Sequence, residues 1–270
     1  MGSSIARTAG IDCGAKATKA AILAGGRIVG VAAVLSGLDA GAAAQEALTA
    51  ALLQSGLSRD ELTSIVATGA GRAAVSFAHR QVTEVTADAR GAVFLNPAAR
   101  TILDIGAEEA RAIRCDAQGR ALDFALNEKC AAGTGAFLES MARALGVSLD
   151  ELSTLSLHGG RMVAMNAQCA VFAESEVVSL LHANTPVPDI ARAIFGAIAN
   201  RAVALARRAG ITPPLVLAGG LALNPGFVAA LRASLAEDGG VEPLNSPEFT
   251  GAIGAAMELA DWRTGGGSAR

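Results

Sequence analysis

Two stretches of this chain, Gly10-Ile11-Asp12-Cys13-Gly14 and Leu103-Asp104-Ile105-Gly106, each run from apolar residues into Asp-x-Gly. Glycine lets the backbone turn there and brings its N–H groups against an anion, while the carboxylate can hold Mg²⁺ through water. A third glycine turn, Gly219-Gly220, lies in Leu217-Ala218-Gly219-Gly220-Leu221. Two acidic turns and a glycine pair together suggest a nucleotide clamped in a cleft. The Walker A pattern G-x-x-x-x-G-K-[ST] is absent, which excludes a P-loop ATPase.

The four cysteines fall into two kinds. Cys13 sits inside the first turn and Cys115 in a hairpin strand, where buried packing thiols are the simplest reading. Cys130 and Cys169 each immediately precede a helical pattern, and a helix N-terminus stabilises negative charge and suits a thiolate bound to iron and sulfide. One chain offers too few such ligands for a four-cysteine cluster, whereas two copies would supply four. Two unrelated buried thiols at helix starts remain the alternative. No C-x-x-C pair encodes a zinc ribbon or thioredoxin motif. His79, His158 and His182 share no metal-ligand spacing and read as surface or partner contacts. Glu174 and Glu176, early in the helix after Cys169, are explained by dipole complementarity or by a nucleotide or metal role.

These residues need elements to hold them. The first 35 or so residues predict three strands, with Gly25-Gly26 as the hairpin turn. A helix is expected from about Asp39 to Gln54, then a strand around Ser64–Gly69, a short strand near Glu84-Val85-Thr86, and a helix that Pro97 closes. The opening then recurs: Asp104 repeats Asp12, Gly106 repeats Gly14, Arg111 repeats Lys19, and Gly119-Arg120 repeats Gly26-Arg27. Helices are expected after Cys130, at Ser148 with a Ser148/Glu151 capping box, after Cys169, from Pro188 to Arg208, behind Asn224-Pro225, and from about Glu248 to Ala260. The final glycine-rich residues read as a loose tail. The fold class is α/β, with two lobes of related design and a ligand cleft between them.

Composition narrows the function. The 270 residues are 51% hydrophobic, mostly through alanine, and carry a net charge of −3. That balance argues against nucleic acid or an anionic membrane as partner. No apolar run is long enough for a membrane helix, and no secretory signal precedes the first strand. A soluble, cytoplasmic protein is expected.

On the residues GIDCGAKATKAAIL, NEKCAAGTGAFLESMARALGV, CAVFAESEVVSLL, LAGGLALNPG and GAIGAA, the chain resembles the ATPases that activate 2-hydroxyacyl-CoA dehydratases. The same family includes the ATPase subunits of benzoyl-CoA reductase. The likeness runs from about Gly10 to Leu259. It implies an actin-like ATPase fold of two duplicated ribonuclease-H-like lobes, residues 1–97 with a last helix at about 250–270, and residues 98–249. It further implies that Cys130 and Cys169 bind half of a [4Fe–4S] cluster, shared with a second copy or a paralogue. Asp12, Gly14, Thr18 and Lys19 would form the first phosphate loop. Asp104 and Gly106 would form the second, with Asp104 near Mg²⁺ and the attacking water and Asp12 also catalytic. Gly219 and Gly220 would form the adenosine loop, and Gly133 and Gly135 would lie near ATP. An electron would pass from ferredoxin or flavodoxin through the cluster to the dehydratase or reductase.

Two places depart from the family pattern. Ala107-Glu108-Glu109 stands where activators usually have Gly-Gln-Asp, and Lys16 stands where a small hydroxyl residue is common. Two rival readings follow from the same residues. A sugar-type kinase of the superfamily would need a catalytic base, for which Asp88 and Glu84 are available without a supporting motif. A scaffold with a degenerate ATP site would bind nucleotide without turnover.

Overall fold

The computed structural model describes residues 6–127, 133–161, 163–165 and 169–258. The chain divides into two compact units, one with the described residues up to Pro97, Asp116–Ala121 and those from Glu248 on, the other with Ala98–Cys115 and Leu122–Pro247.

The first unit opens with strands β1 (Arg7–Cys13), β2 (Ala17–Ala24) and β3 (Arg27–Leu35), paired antiparallel in sequence. Gly25 and Gly26 both have positive φ, as the β2–β3 turn requires. Helix α1 (Ala40–Ser55) follows, capped by the Asp39 side chain accepting from the Ala42 N–H at 2.9 Å and ended by left-handed Gly56. Strand β4 (Ser64–Thr68) then runs parallel to β1, and the two-residue β5 (Arg80–Gln81) parallel to β4. The short strand expected near Glu84-Val85-Thr86 therefore lies earlier. Those residues open helix α2 (Glu84–Leu95) instead, because the Thr83 hydroxyl accepts from the Thr86 N–H and caps the helix.

The second unit repeats the plan. Strand β6 (Thr101–Ile105) pairs antiparallel with β7 (Ala110–Cys115), and β8 (Ala121–Asn127) forms the sheet edge beyond β7. Helices α3 (Gly135–Leu145), α4 (Leu149–Leu157), α5 (Ala170–His182) and α6 (Val187–Ala209) precede β9 (Leu215–Ala218), which runs parallel to β6. Helix α7 (Pro225–Ser234), strand β10 (Glu242–Pro243) and helix α8 (Thr250–Met257) complete the chain, α8 returning to the first unit. The sheet orders are β3-β2-β1-β4-β5 and β10-β9-β6-β7-β8, the same connectivity read from opposite edges. The Ser148/Glu151 capping box and the Asn224 cap with Pro225 at the first helical position are both present.

The alanine and glycine excess has a packing purpose. A Cβ on Gly10 of β1 would lie 1.9 Å from the Ala252 carbonyl oxygen, one on Gly91 2.0 Å from that of Thr250, and one on Gly254 1.7 Å from that of Ala87. Helix α8 is thus packed backbone to backbone against both β1 and α2, and only residues without side chains fit. The second core is conventional: α6 buries Ile190, Ile194, Phe195, Ile198 and Leu205 at helical spacing, alongside Phe137 and Met141 of α3.

Candidate functional site: two acidic turns and an exposed thiol

In the first unit, the antiparallel register of β1 and β2 sets Asp12 opposite Lys19. The Lys19 ammonium lies 3.5 Å from Asp12 Oδ2 and 3.2 Å from where a Cβ on Gly14 would stand. Glycine at position 14 therefore leaves room for this cation over the turn. Thr18 is fully buried, and its hydroxyl is 2.9 Å from that of Ser36. The Ser36 hydroxyl in turn donates to the Gly14 carbonyl at 2.6 Å, and its N–H donates to the Lys16 carbonyl at 3.1 Å on the other side of the turn. Thr18 thus supports the turn from beneath, with Ser36 as an unforeseen brace. Cys13 is buried, and burial first, then the neighbouring Asp12 charge, pushes its thiol up to about 11.

A loop that carried no recognised pattern completes this half. Gly69, with φ +91°, passes so close to Cys13 that a Cβ would meet its carbonyl oxygen at 2.5 Å, and the Gly71 N–H donates to that oxygen at 3.0 Å. Arg72 donates to Gly69 O at 2.9 Å and pairs with Glu84 at 3.3 Å. The signal was a glycine pair directly after a buried strand, Thr68-Gly69-Ala70-Gly71. Glu84 is thus committed to an ion pair, and Asp88 is buried beside Gly251, whose Cβ would lie 3.1 Å from Asp88 Oδ1 and 3.4 Å from Asp12 Oδ2.

The second unit holds a matching arrangement. Asp104 stands opposite Arg111 in the β6–β7 register, with Arg111 Nη1 2.5 Å from Asp104 Oδ2. The other terminal nitrogen of Arg111 pairs with Glu109. The Glu109 carbonyl also accepts from the Gly106 N–H at 2.9 Å. Glu109 therefore closes the turn with its backbone and fixes the cation with its side chain, which gives the Ala107-Glu108-Glu109 departure a structural reason. Gly219, at φ +81°, sits where a Cβ would be 2.3 Å from Asp104 Oδ1. The structure thus brings Asp104, Gly106 and Gly219 together, while Gly220 faces open space. The Gly135 N–H donates to Gly106 O at 2.9 Å and the Ala136 N–H to Ala107 O at 2.8 Å. Gly133 lies beside Asn127 instead, its would-be Cβ 2.7 Å from Asn127 Nδ2.

Cys169 is exposed and occupies the N-cap position of α5, with no side-chain cap bond. Cys13 and Cys115 are buried. Cys130 lies outside the described residues, and among the described residues no group of three or more His, Cys, Asp or Glu could hold a metal ion. Next to Cys169, Val171 and Phe172 are 68% and 69% exposed, an apolar face on the same helix. His79 accepts from the Ile65 N–H at 2.9 Å and His158 contacts Thr154 O at 2.8 Å, so both are occupied within the fold. No helix among the described residues is long and apolar enough to cross a membrane.

The profile of the BadF/BadG/BcrA/BcrD ATPase family matches residues 9–258. The activator of lactoyl-CoA dehydratase from Anaerotignum propionicum is 42% identical over 250 residues, covering 93% of this chain and 96% of the relative. The crystal structure of component A of (R)-2-hydroxyglutaryl-CoA dehydratase from Acidaminococcus fermentans superposes with a TM-score of 0.88 at 35% identity, over 93% of this chain and 96% of that one. The activator of the 2-hydroxyisocaproyl-CoA dehydratase from Clostridium difficile, with bound ADPNP, superposes with a TM-score of 0.87 at 35% identity, over 98% and 100%.

Proposed function

The chain belongs to the BadF/BadG/BcrA/BcrD ATPase family, and from that premise we propose that it is an ATP-driven one-electron activator of a 2-hydroxyacyl-CoA dehydratase or a benzoyl-CoA reductase type enzyme. The observation that carries the electron-transfer half is Cys169, an exposed thiol at an uncapped helix start, in a chain whose other described cysteines are buried. Such a position leaves the sulfur open to a ligand shared with a group outside the chain.

A thiolate donor of this kind fits an iron–sulfur cluster. Cys130 and Cys169 would hold it together with the same pair from a second copy or a paralogue, and it would supply one-electron chemistry. The Val171 and Phe172 face beside Cys169 is suited to covering by that second chain. A ferredoxin or flavodoxin would be the electron donor.

The ATP half falls to the two turns. Lys19 and the backbone N–H groups around Gly14 would meet phosphate oxygens. Asp12 and Asp104 would hold Mg²⁺ through water. Arg111, itself fixed by Glu109, aims the Asp104 carboxylate as Asp104 orients the attacking water. Water adds to the γ-phosphorus as the bond to the bridging oxygen breaks, giving ADP and phosphate. Gly219 and Gly220 would accommodate the adenosine.

The test is to reduce the protein anaerobically and mix it with a dehydratase component. Activation should require hydrolysable ATP and fail with ADPNP. Phosphorylation of a sugar without iron would overturn the proposal in favour of a kinase. Nucleotide binding with no turnover, even beside partner and cluster, would overturn it in favour of a scaffold.

A further inference from the structure

The second acidic turn is bonded directly to the helix that follows Cys130. Gly106 O and Ala107 O accept from the N–H groups of Gly135 and Ala136, the first two residues of α3. The fit is close: a Cβ on Gly135 would meet Leu221 Cδ1 at 3.0 Å, Ala107 Cα at 3.3 Å and Gly106 O at 3.4 Å. Helix α3 is therefore held between the second turn and the glycine loop after β9, and a shift of that turn moves the helix start with it.

Helix α3 is in turn bonded to the helix that begins at Cys169. The Ser140 hydroxyl donates to Glu174 Oε1. Ser140 is 8% exposed, so the bond sits in a poorly solvated environment where it is hard to replace with water. The two partners lie at matching depths, from Gly135 to Ser140 in α3 and from Cys169 to Glu174 in α5, about 7.5 Å along each helix. The Ala173 N–H donates to Cys169 O at 2.9 Å, so Cys169 is part of the rigid first turn of α5.

We propose that the Ser140–Glu174 hydrogen bond couples the second phosphate turn to Cys169, making Ser140 and Glu174 positioning residues for the thiol ligand. The chain of contacts is continuous: Asp104 turn, α3 start, Ser140, Glu174, α5, Cys169. It rests on the ATP-binding half of the proposed function. A buried serine needs an acceptor for structural reasons alone, so the test must read communication rather than stability.

The experiment uses the full chain prepared without metal. Carbamidomethylation of Cys169 by iodoacetamide is followed by peptide mass spectrometry, with and without saturating ADPNP. In the wild type, ADPNP should change the Cys169 rate by about fivefold or more, the lower end of ordinary inter-site coupling. Ser140→Ala and Glu174→Ala should each abolish that change while leaving the ADPNP dissociation constant as it was. Glu174→Gln, which retains an acceptor oxygen, should preserve it. A rate change that persists in both alanine variants overturns the inference. So does a wild type that binds ADPNP with no change at Cys169. Absence of ADPNP binding overturns the ATP-driven reading itself, and the inference with it.

Discussion

At the scale of single residues, charge decides the behaviour of the two turns. Each carboxylate faces one cation across an antiparallel pair, Asp12 with Lys19 and Asp104 with Arg111. Arg111 serves two acids at once, and a lysine cannot reproduce that fork. Arg111→Ala should lower the ATP turnover rate roughly a hundredfold, the scale of losing one preorganised electrostatic group, and Arg111→Lys should recover only part of it. Steady-state phosphate release measures both. Cys13 offers a pH test. Its thiol titrates at about 11 instead of the ordinary 9.0, so the folded state binds a proton that the unfolded state has already lost between those values. Stability should therefore fall as pH rises from about 9 towards 11, and Cys13→Ala should flatten that fall in urea titrations. The acid–cation pairs were legible through the repeat, since Asp12, Lys19, Asp104 and Arg111 recur at one spacing. Ser36 was not, because a serine at a strand end shows its value only when the chain returns beneath Gly14.

At the scale of elements, glycine spacing sets which helices can touch. Gly254→Ala should cost about 3 kcal/mol or more, because even a methyl group meets the Ala87 carbonyl at 1.7 Å and α2 and α8 must separate. Gly196→Ala in α6 is the control, since nothing lies within 4 Å of its Cβ position, and it should stabilise by about 0.5–1 kcal/mol. Thermal unfolding of the two variants distinguishes them. Three helix starts capped by a side chain, at Asp39, Ser148 and Asn224, were readable. The Thr83 cap went unrecognised, because β-branched Val85 and Thr86 imitate a strand until the Thr83 hydroxyl claims the Thr86 N–H. The loop Thr68–Arg72 escaped for a different reason: its role depends on contact with Cys13 O, which no local pattern encodes.

At the scale of the whole molecule, one plan is used twice. The repeated Asp-x-Gly and hairpin turn announced the duplication, and the two five-stranded sheets share one connectivity. What periodicity could not reveal is the grouping of Asp116–Ala121 with the first unit. Gly119, with φ +72°, lies where a Cβ would be 2.9 Å from Arg90 Cα, a contact far apart in sequence. The division of the cysteines is likewise a property of the whole fold. Cys13 and Cys115 became interior only when their sheets were covered, while Cys169 stayed at the surface. The central claim is that two chains share one cluster through Cys130 and Cys169. Its most direct test is iron and acid-labile sulfide in anaerobically purified dimer. The claim predicts about four of each per dimer, lost in Cys130→Ser or Cys169→Ser and kept in Cys115→Ser. A cluster that survives the loss of Cys130 would contradict it.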